Sequence, residues 1–191
     1  MSGSRRFSHA ISAGEGIAVL VPVSGPDGAR LAEEHGAQGV VVRRPLAGIR
    51  GATALPVLWC PEETVPDADA CVIVAERVLD DGDELEQRYD RAYEQGLECV
   101  VQVDNEDELE HVLERIDPEI FLLAPDRDND EEALEQVLDL LPSVPAGKLA
   151  VADVPVSTRE QVVALERAGI DAVIVAAGDV RELVGGAPPE V

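Results

Sequence analysis

Residues 98–124, ECVVQVDNEDELEHVLERIDPEIFLLA, contain one whole unit of the pattern that decides the fold. Glu98–Val103 is a short apolar run of strand length. Asn105 then opens a polar, helix-periodic stretch to Arg115, and Glu106, Asp107 and Glu108 place acids where a helix N-terminus favours them. A second apolar run, Glu119–Ala124, follows. The unit reads as strand, helix, strand.

The same unit recurs in both directions. Toward the N-terminus the apolar runs are Ile17–Val23, Gly39–Val42, Pro56–Trp59 and Ala70–Ala75; toward the C-terminus they are Lys148–Val154 and Asp171–Ala176. Helices are expected between them. Pro26–His35 starts on a proline suited to a first turn and ends at Gly36. Asp83–Gln95 ends at Gly96. Asp130–Leu141 stops at Pro142. Ser157–Ala168 opens with the capping-box spacing Ser157-Thr158-Arg159-Glu160 and closes at Gly169. Asp179–Val184 is a short last helix.

Strands alternating with helices imply right-handed crossovers and a parallel sheet, and eight units point to a closed (β/α)8 TIM barrel. An open doubly wound sheet normally carries a glycine-rich GxGxxG loop after its first strand. Ser24-Gly25-Pro26-Asp27-Gly28 does not fit that pattern. Two crossovers are thin. Pro45–Ala54 contains Gly48 and Gly51, and Cys60–Asp69, after the third strand, has two prolines and no helical period, so its helix is expected to be reduced or missing. With 191 residues against about 250 for a typical barrel, the fold is trimmed. The reading divides the chain into an N-terminal segment (1–16), one barrel domain (17–184) and a C-terminal tail (185–191).

Composition agrees. Apolar residues make up 46% and aromatics only 3%, so the core is aliphatic, as suits parallel strands buried on both faces. Thirty-nine acids against fifteen bases give a formal charge of −24. Such a surface repels nucleic acid and anionic membrane, and neither is expected as a partner. It suits salt adaptation or a basic partner. Cys60, Cys71 and Cys99 are few, odd in number and widely spaced, which speaks against a disulfide framework and a zinc site. Cys71 and Cys99 read as small core residues. No apolar run approaches a membrane span or a leader's h-region, so a cytoplasmic location is expected.

Several stretches resemble one family. STREQVVALERAGIDAVIVAAG (157–178) is similar to the seventh helix and eighth strand of indole-3-glycerol phosphate synthases. GLECVVQVDNEDELEHVLERIDPEIFLLAPD (96–126) resembles their fifth and sixth units, ADACVIVAE (68–76) their fourth strand, and LAGIRGATALPVLW (46–59) the approach to their third. The resemblance covers residues 17 to 178 and implies a barrel with its site at the C-terminal strand ends. It also implies a decarboxylating ring closure that uses lysines and carboxylates to protonate a leaving oxygen and to stabilise charge.

This chain departs from the family at those positions. No lysine stands in Val21-Pro22-Val23-Ser24. The family's Pro-Val-Leu-Arg-Lys-Asp reads Pro56-Val57-Leu58-Trp59-Cys60-Pro61, which sets Cys60 against the catalytic lysine. Its Glu-Val-His reads Gln102-Val103-Asp104, its asparagines after strand six meet Leu123 and Ala124, and its Glu-Ser-Gly-Ile reads Asp153-Val154-Pro155-Val156. Pro155 has no amide to offer a phosphate.

The residues left at the expected mouth are Arg43, Arg44, Trp59, Glu76, Gln102, Asp104, Asp126 and Asp153. Asp153, Glu76 and Gln102 are the catalytic candidates, with Glu76 and Asp153 as an acid–base pair. Arg43 and Arg44 suit bidentate binding of a carboxylate or phosphate, or pairing with nearby acids. Trp59 suits either capping a pocket or packing under a loop. Asp104 and Gly178 complete the ligand-binding set; Gly178 allows close approach of a phosphate, while Asp179 beside it suits capping its own helix. Cys60 is a reactive thiol only if positive charge lowers its pKa. No histidine lies at a strand end, and no metal or cofactor is expected.

Two functions follow as expectations. One is a divergent barrel without synthase activity that binds a small anionic ligand or serves as a non-catalytic subunit, with a protein partner or a homodimer contact at the thin third crossover. The other is a working lyase or isomerase on a phosphorylated or aromatic substrate, using the remaining carboxylates.

Overall fold

The computed structural model describes residues 5–14, 16–60, 68–77, 83–125, 130–176 and 180–183. Among them are eight strands: β1 (Ala18–Pro22), β2 (Gly39–Val42), β3 (Val57–Trp59), β4 (Ala70–Val74), β5 (Glu98–Val103), β6 (Ile120–Leu123), β7 (Leu149–Ala152) and β8 (Ala172–Ile174). All pair in parallel and in chain order, and β8 returns to β1 to close the barrel. Each expected apolar run holds one strand.

The outer layer contains α2 (Pro26–Glu34), α3 (Ile49–Ala52), α4 (Glu84–Glu94), α5 (Glu106–Arg115), α6 (Asp130–Leu140), α7 (Arg159–Ala168) and α8 (Val180–Leu183). The second crossover helix, α3, is a single turn, and the described residues between β3 and β4 contain no helix. The thin second crossover is where its glycines placed it; residues 61–67 of the third lie outside the described residues. Two ends differ from expectation by local chemistry. The capping box of α7 is Thr158 with Gln161 rather than Ser157 with Glu160. Both registers fit the motif, and Gln161 Oε1 accepts N–H bonds from both Ser157 and Thr158. After α6 the chain tightens into a 3-10 turn over Leu141–Ser143, which takes Pro142 in its first turn.

Alternation along each strand divides the core. Leu20, Val41, Leu58, Val72, Val100, Ile120, Leu122, Val151 and Ile174 fill the barrel interior. Val19, Val40, Val57, Ile73, Val101, Phe121, Ala150 and Val173 face outward beneath helix residues such as Ala29, Leu85, Leu109 and Leu165. Burial on both faces is why the strands read as unbroken apolar runs.

Residues set apart by sequence as an N-terminal segment form α1 (Arg6–Ser12), which plugs the N-terminal end of the barrel. The interior there is lined by the small residues Ala18, Ala70 and Ala172, and Phe7 and Ile11 pack against them. Glu98 at the start of β5 accepts the Phe7 and Ser8 N–H groups at 2.6 and 3.0 Å, so a strand carboxylate caps the helix. Buried Asp69 accepts from Arg6, Arg50 and the Val57 N–H at 3.1, 2.6 and 2.8 Å. With this end sealed, the opposite, C-terminal end is the open mouth. Among the described residues no helix is long and apolar enough to cross a membrane.

Candidate functional site

The mouth is built by the last inward position of several strands. Inward alternation brings Arg43 beyond β2, Cys60 beyond β3, Gln102 on β5, and Asp153 beyond β7 around one cavity of about 270 Å³, with Val74 and Leu122 as its apolar floor. A 3-10 turn, Ala75–Arg77, directly follows β4 and breaks the strand alternation. Two consecutive side chains, Glu76 and Arg77, therefore line the cavity together.

Asp153 is the anchor. Its side chain is only 10% exposed and accepts from Arg43 Nη2 at 2.7 Å, while Arg43 remains 47% exposed. Burial works against the Arg43 charge, but the Asp153 hydrogen bond and charge outweigh it, and the guanidinium is held above its ordinary range. Cys60 lies beside the pair. Burial pushes its thiol up to about 12; Arg43 pulls it back in part and Asp153 adds to the rise. Cys60 is thus a neutral S–H at physiological pH, neither a thiolate nucleophile nor a useful proton donor.

A second polar group rises above the cavity. Gln102 Nε2 donates to Asp104 Oδ1 at 3.1 Å. The Asp104 N–H donates to Glu108 Oε2 at 2.9 Å, and Glu108 closes a reciprocal cap with Asn105 at the start of α5. Burial raises the Glu108 carboxyl above its ordinary range, the Asp104 N–H bond lowers it, and the Asp104 and Glu76 charges raise it. Gln102 is turned by Asp104 into a fixed orientation, and Asp104 serves that bond rather than lining the cavity.

The sequence candidates therefore separate. Arg43, Glu76, Gln102 and Asp153 are brought together. Arg44 is exposed and does not line the cavity, since the residue after an inward one points the other way. Trp59 is 2% exposed and packs in the outer layer, for the same reason of strand parity. Asp126, Gly178 and Asp179 lie outside the described residues. Sequence reasoning missed Arg77. Its only local signal was its position directly after the Glu76 already singled out. No group of three or more His, Cys, Asp or Glu among the described residues is arranged to hold a metal.

Comparison with known proteins bears on this mouth. A family model described as indole-3-glycerol phosphate synthase matches residues 62–180. An indole-3-glycerol phosphate synthase of Geobacillus sp. (strain WCH70) is 31% identical over 140 residues, 68% of this chain and 54% of that protein. One from Shouchella clausii (strain KSM-K16) is 28% identical over 167 residues, 77% of this chain and 65% of that protein. The chain spans between half and two thirds of the length of these two curated relatives. The solved N-acetylmannosamine-6-phosphate 2-epimerase from Clostridium perfringens superposes with a TM-score of 0.66 over 91% of this chain and 90% of its own, at 13% identity. That likeness is one of fold.

Proposed function

The chain belongs to the indole-3-glycerol phosphate synthase family, and from that premise we propose that it is a barrel without synthase activity whose mouth binds a small anion. The observation that carries this reading is Cys60. It stands where the family resemblance sets a catalytic lysine, and its thiol, pushed up to about 12, supplies neither the charge nor the proton that a lysine would. Arg43 offers no substitute, because a guanidinium stays protonated and cannot serve as the acid.

Size points the same way. A cavity of about 270 Å³ lies just below the range of roughly 300–1,000 Å³ usual for small-molecule sites. It suits a phosphate or a short carboxylate better than a ring-bearing sugar phosphate. Arg43 has N–H groups beyond the one given to Asp153, and its fork pairs bidentately with two oxygens of a carboxylate or phosphate; Arg77 lines the same cavity. A role carried by an apolar docking surface has less support. Among the described residues the exposed large hydrophobics are Leu31 on α2 and Tyr93 on α4, which form no shared patch.

The test has two arms. Inorganic phosphate, short carboxylates, sugar phosphates and anthranilate-type acids are screened by thermal shift at low and high salt. A ligand at 100 times its Kd adds about 2.7 kcal/mol, a rise of roughly 5–11 °C for this chain length. The rise should vanish in an Arg43→Gln variant that retains a cooperative transition. Indole-3-glycerol phosphate formation is followed by indole fluorescence, and none is expected. Turnover that disappears in Asp153→Asn would overturn the proposal in favour of an active lyase, for which Glu76 and Asp153 lining one cavity are the structural basis.

A further inference from the structure

We propose that Cys71 and Cys99 form a redox-modification site, a cross-strand dithiol on the outer face of β4 and β5 that a low-molecular-weight disulfide oxidises to an internal disulfide. The mouth chemistry uses neither cysteine. They are separated by a whole strand-to-strand crossover, yet the barrel register makes them direct partners, Cys71 opposite Cys99. Both belong to the outward-facing set, since their neighbours Val72 and Val100 fill the interior. Adjacent strands run about 4.8 Å apart, inside the Cα separation of about 4.4–6.8 Å that a disulfide needs. Closing the bridge draws the two Cβ atoms from about the strand spacing to about 3.8 Å, a local adjustment of under about 1 Å.

The two thiols already interact. The ionisation of each is linked to the other, and the Cys99 S–H donates to the Tyr89 carbonyl of α4 at 3.6 Å. The Cys99 hydrogen bond lowers Cys71 below the ordinary thiol range, against burial, which acts the other way. The same bond, then burial, then the Cys71 and Asp90 charges push Cys99 upward. Exposure makes the roles unequal as well: Cys71 is partly exposed and Cys99 buried, so Cys71 meets the small disulfide and attacks, and Cys99 resolves. Access exists on both sides. Cys71 is partly exposed, and Cys99 lines a cavity of about 310 Å³ between α4 and the strand starts, with Tyr89, Leu97 and Lys148.

The reaction balances as two exchanges. The Cys71 thiolate attacks one sulfur of the small disulfide and expels the other as a thiolate. Cys99 gives up its proton and attacks Cys71 Sγ, expelling the second small thiolate. The protein loses two electrons and two protons; the small disulfide becomes two thiols.

Trp59 supplies a built-in reporter. It is the register partner of Cys71 on β3 and the sole tryptophan of the chain. A disulfide quenches an indole in contact with it more strongly than a thiol does. The experiment treats the folded protein with oxidised glutathione, unfolds it, and alkylates the remaining thiols. Three cysteines are modified before oxidation, and only Cys60 is expected to be modified afterwards. Trp59 fluorescence falls, and the melting midpoint rises by roughly 7–14 °C for a closed loop of about 29 residues. Digestion is done in a Cys60→Ser background, because no lysine or arginine separates Cys60 from Cys71. It should yield the Cys71 and Cys99 peptides joined. In Cys99→Ser the reaction should halt at a glutathione adduct on Cys71, with no rise in midpoint. Intermolecular links, a link that requires Cys60, or three free thiols at saturating oxidant would each overturn the proposal.

Discussion

Alkylation of Cys60 tests the electrostatics of the mouth most directly. At about pH 8 a thiol with the ordinary pKa of 9.0 is about one-tenth ionised, whereas one pushed up to about 12 is ionised about once in ten thousand molecules. The thousandfold loss of thiolate is offset in part, because a more basic thiolate is more nucleophilic. With a Brønsted slope of about 0.4–0.5 the gain is roughly 16–32-fold, leaving a net slowing of about 30–60-fold. Burial of Cys60 also slows reagent entry, so the absolute rate alone does not decide. The pH profile does, since access multiplies all rates alike. Iodoacetamide modification of a Cys71→Ser protein, whose Cys60 peptide then carries one thiol, quenched and quantified by mass spectrometry, should climb about tenfold per pH unit with no plateau up to about pH 10. Two variants carry opposite signs. Asp153→Asn removes a charge that raises the thiol and should speed modification; Arg43→Gln removes one that lowers it and should slow it further. A plateau below about pH 10, or both variants moving the rate the same way, would refute the assigned electrostatics and with them the argument that Cys60 leaves the mouth without an acid.

Further expectations concern the frame that holds the mouth. Phe7→Ala empties the interior plug and should cost about 3–5 kcal/mol, a midpoint lower by roughly 6–20 °C; a near-silent change would mean that α1 does not seal the barrel. Asp69→Ala strands the Val57 N–H and the Arg50 guanidinium, and should cost about 2–4 kcal/mol by denaturant melt, below the full buried-pair range because Arg6 and Arg50 are partly exposed. Thr158→Ala removes the α7 cap and should cost about 0.5–2 kcal/mol, whereas Ser157→Ala should be close to silent. Burial raises the Asp171 carboxyl above its ordinary 3.8, with the Ala150 N–H bond acting against it. A raised carboxyl disfavours its own ionised state in the fold, so the parent should lose stability relative to Asp171→Asn as pH climbs from the unfolded value through the folded one. Paired urea midpoints at about pH 3.5 and 6.5 read that sign.

Much of the fold is legible because its signals are local. A strand buried on both faces must be apolar throughout, and a helix end must satisfy its free N–H or carbonyl groups. Runs such as Ile120–Leu123 and caps such as Asn105 therefore announce themselves within a few residues. The plugging helix is less legible. Its apolar signal is only Phe7 and Ile11, four residues apart, and its cap is a carboxylate about ninety residues away in the chain. The mouth is legible in part. Strand-end positions pick out Arg43, Gln102 and Asp153, but Arg44 and Trp59 fall on the other parity, and the turn that turns Arg77 inward leaves no periodic trace.

By itself, then, the sequence determined the strands and most helices, the eight-unit order, the thin second crossover, and the family to which the chain belongs. Only the tertiary structure decided which distant groups meet: Arg43 with Asp153 across the mouth, Asp69 with two arginines at the base, Cys71 with Cys99 on the wall. The physical reason is that periodicity states which face of an element is buried. Register around a closed barrel, set by all eight strands at once, states what each residue is buried against.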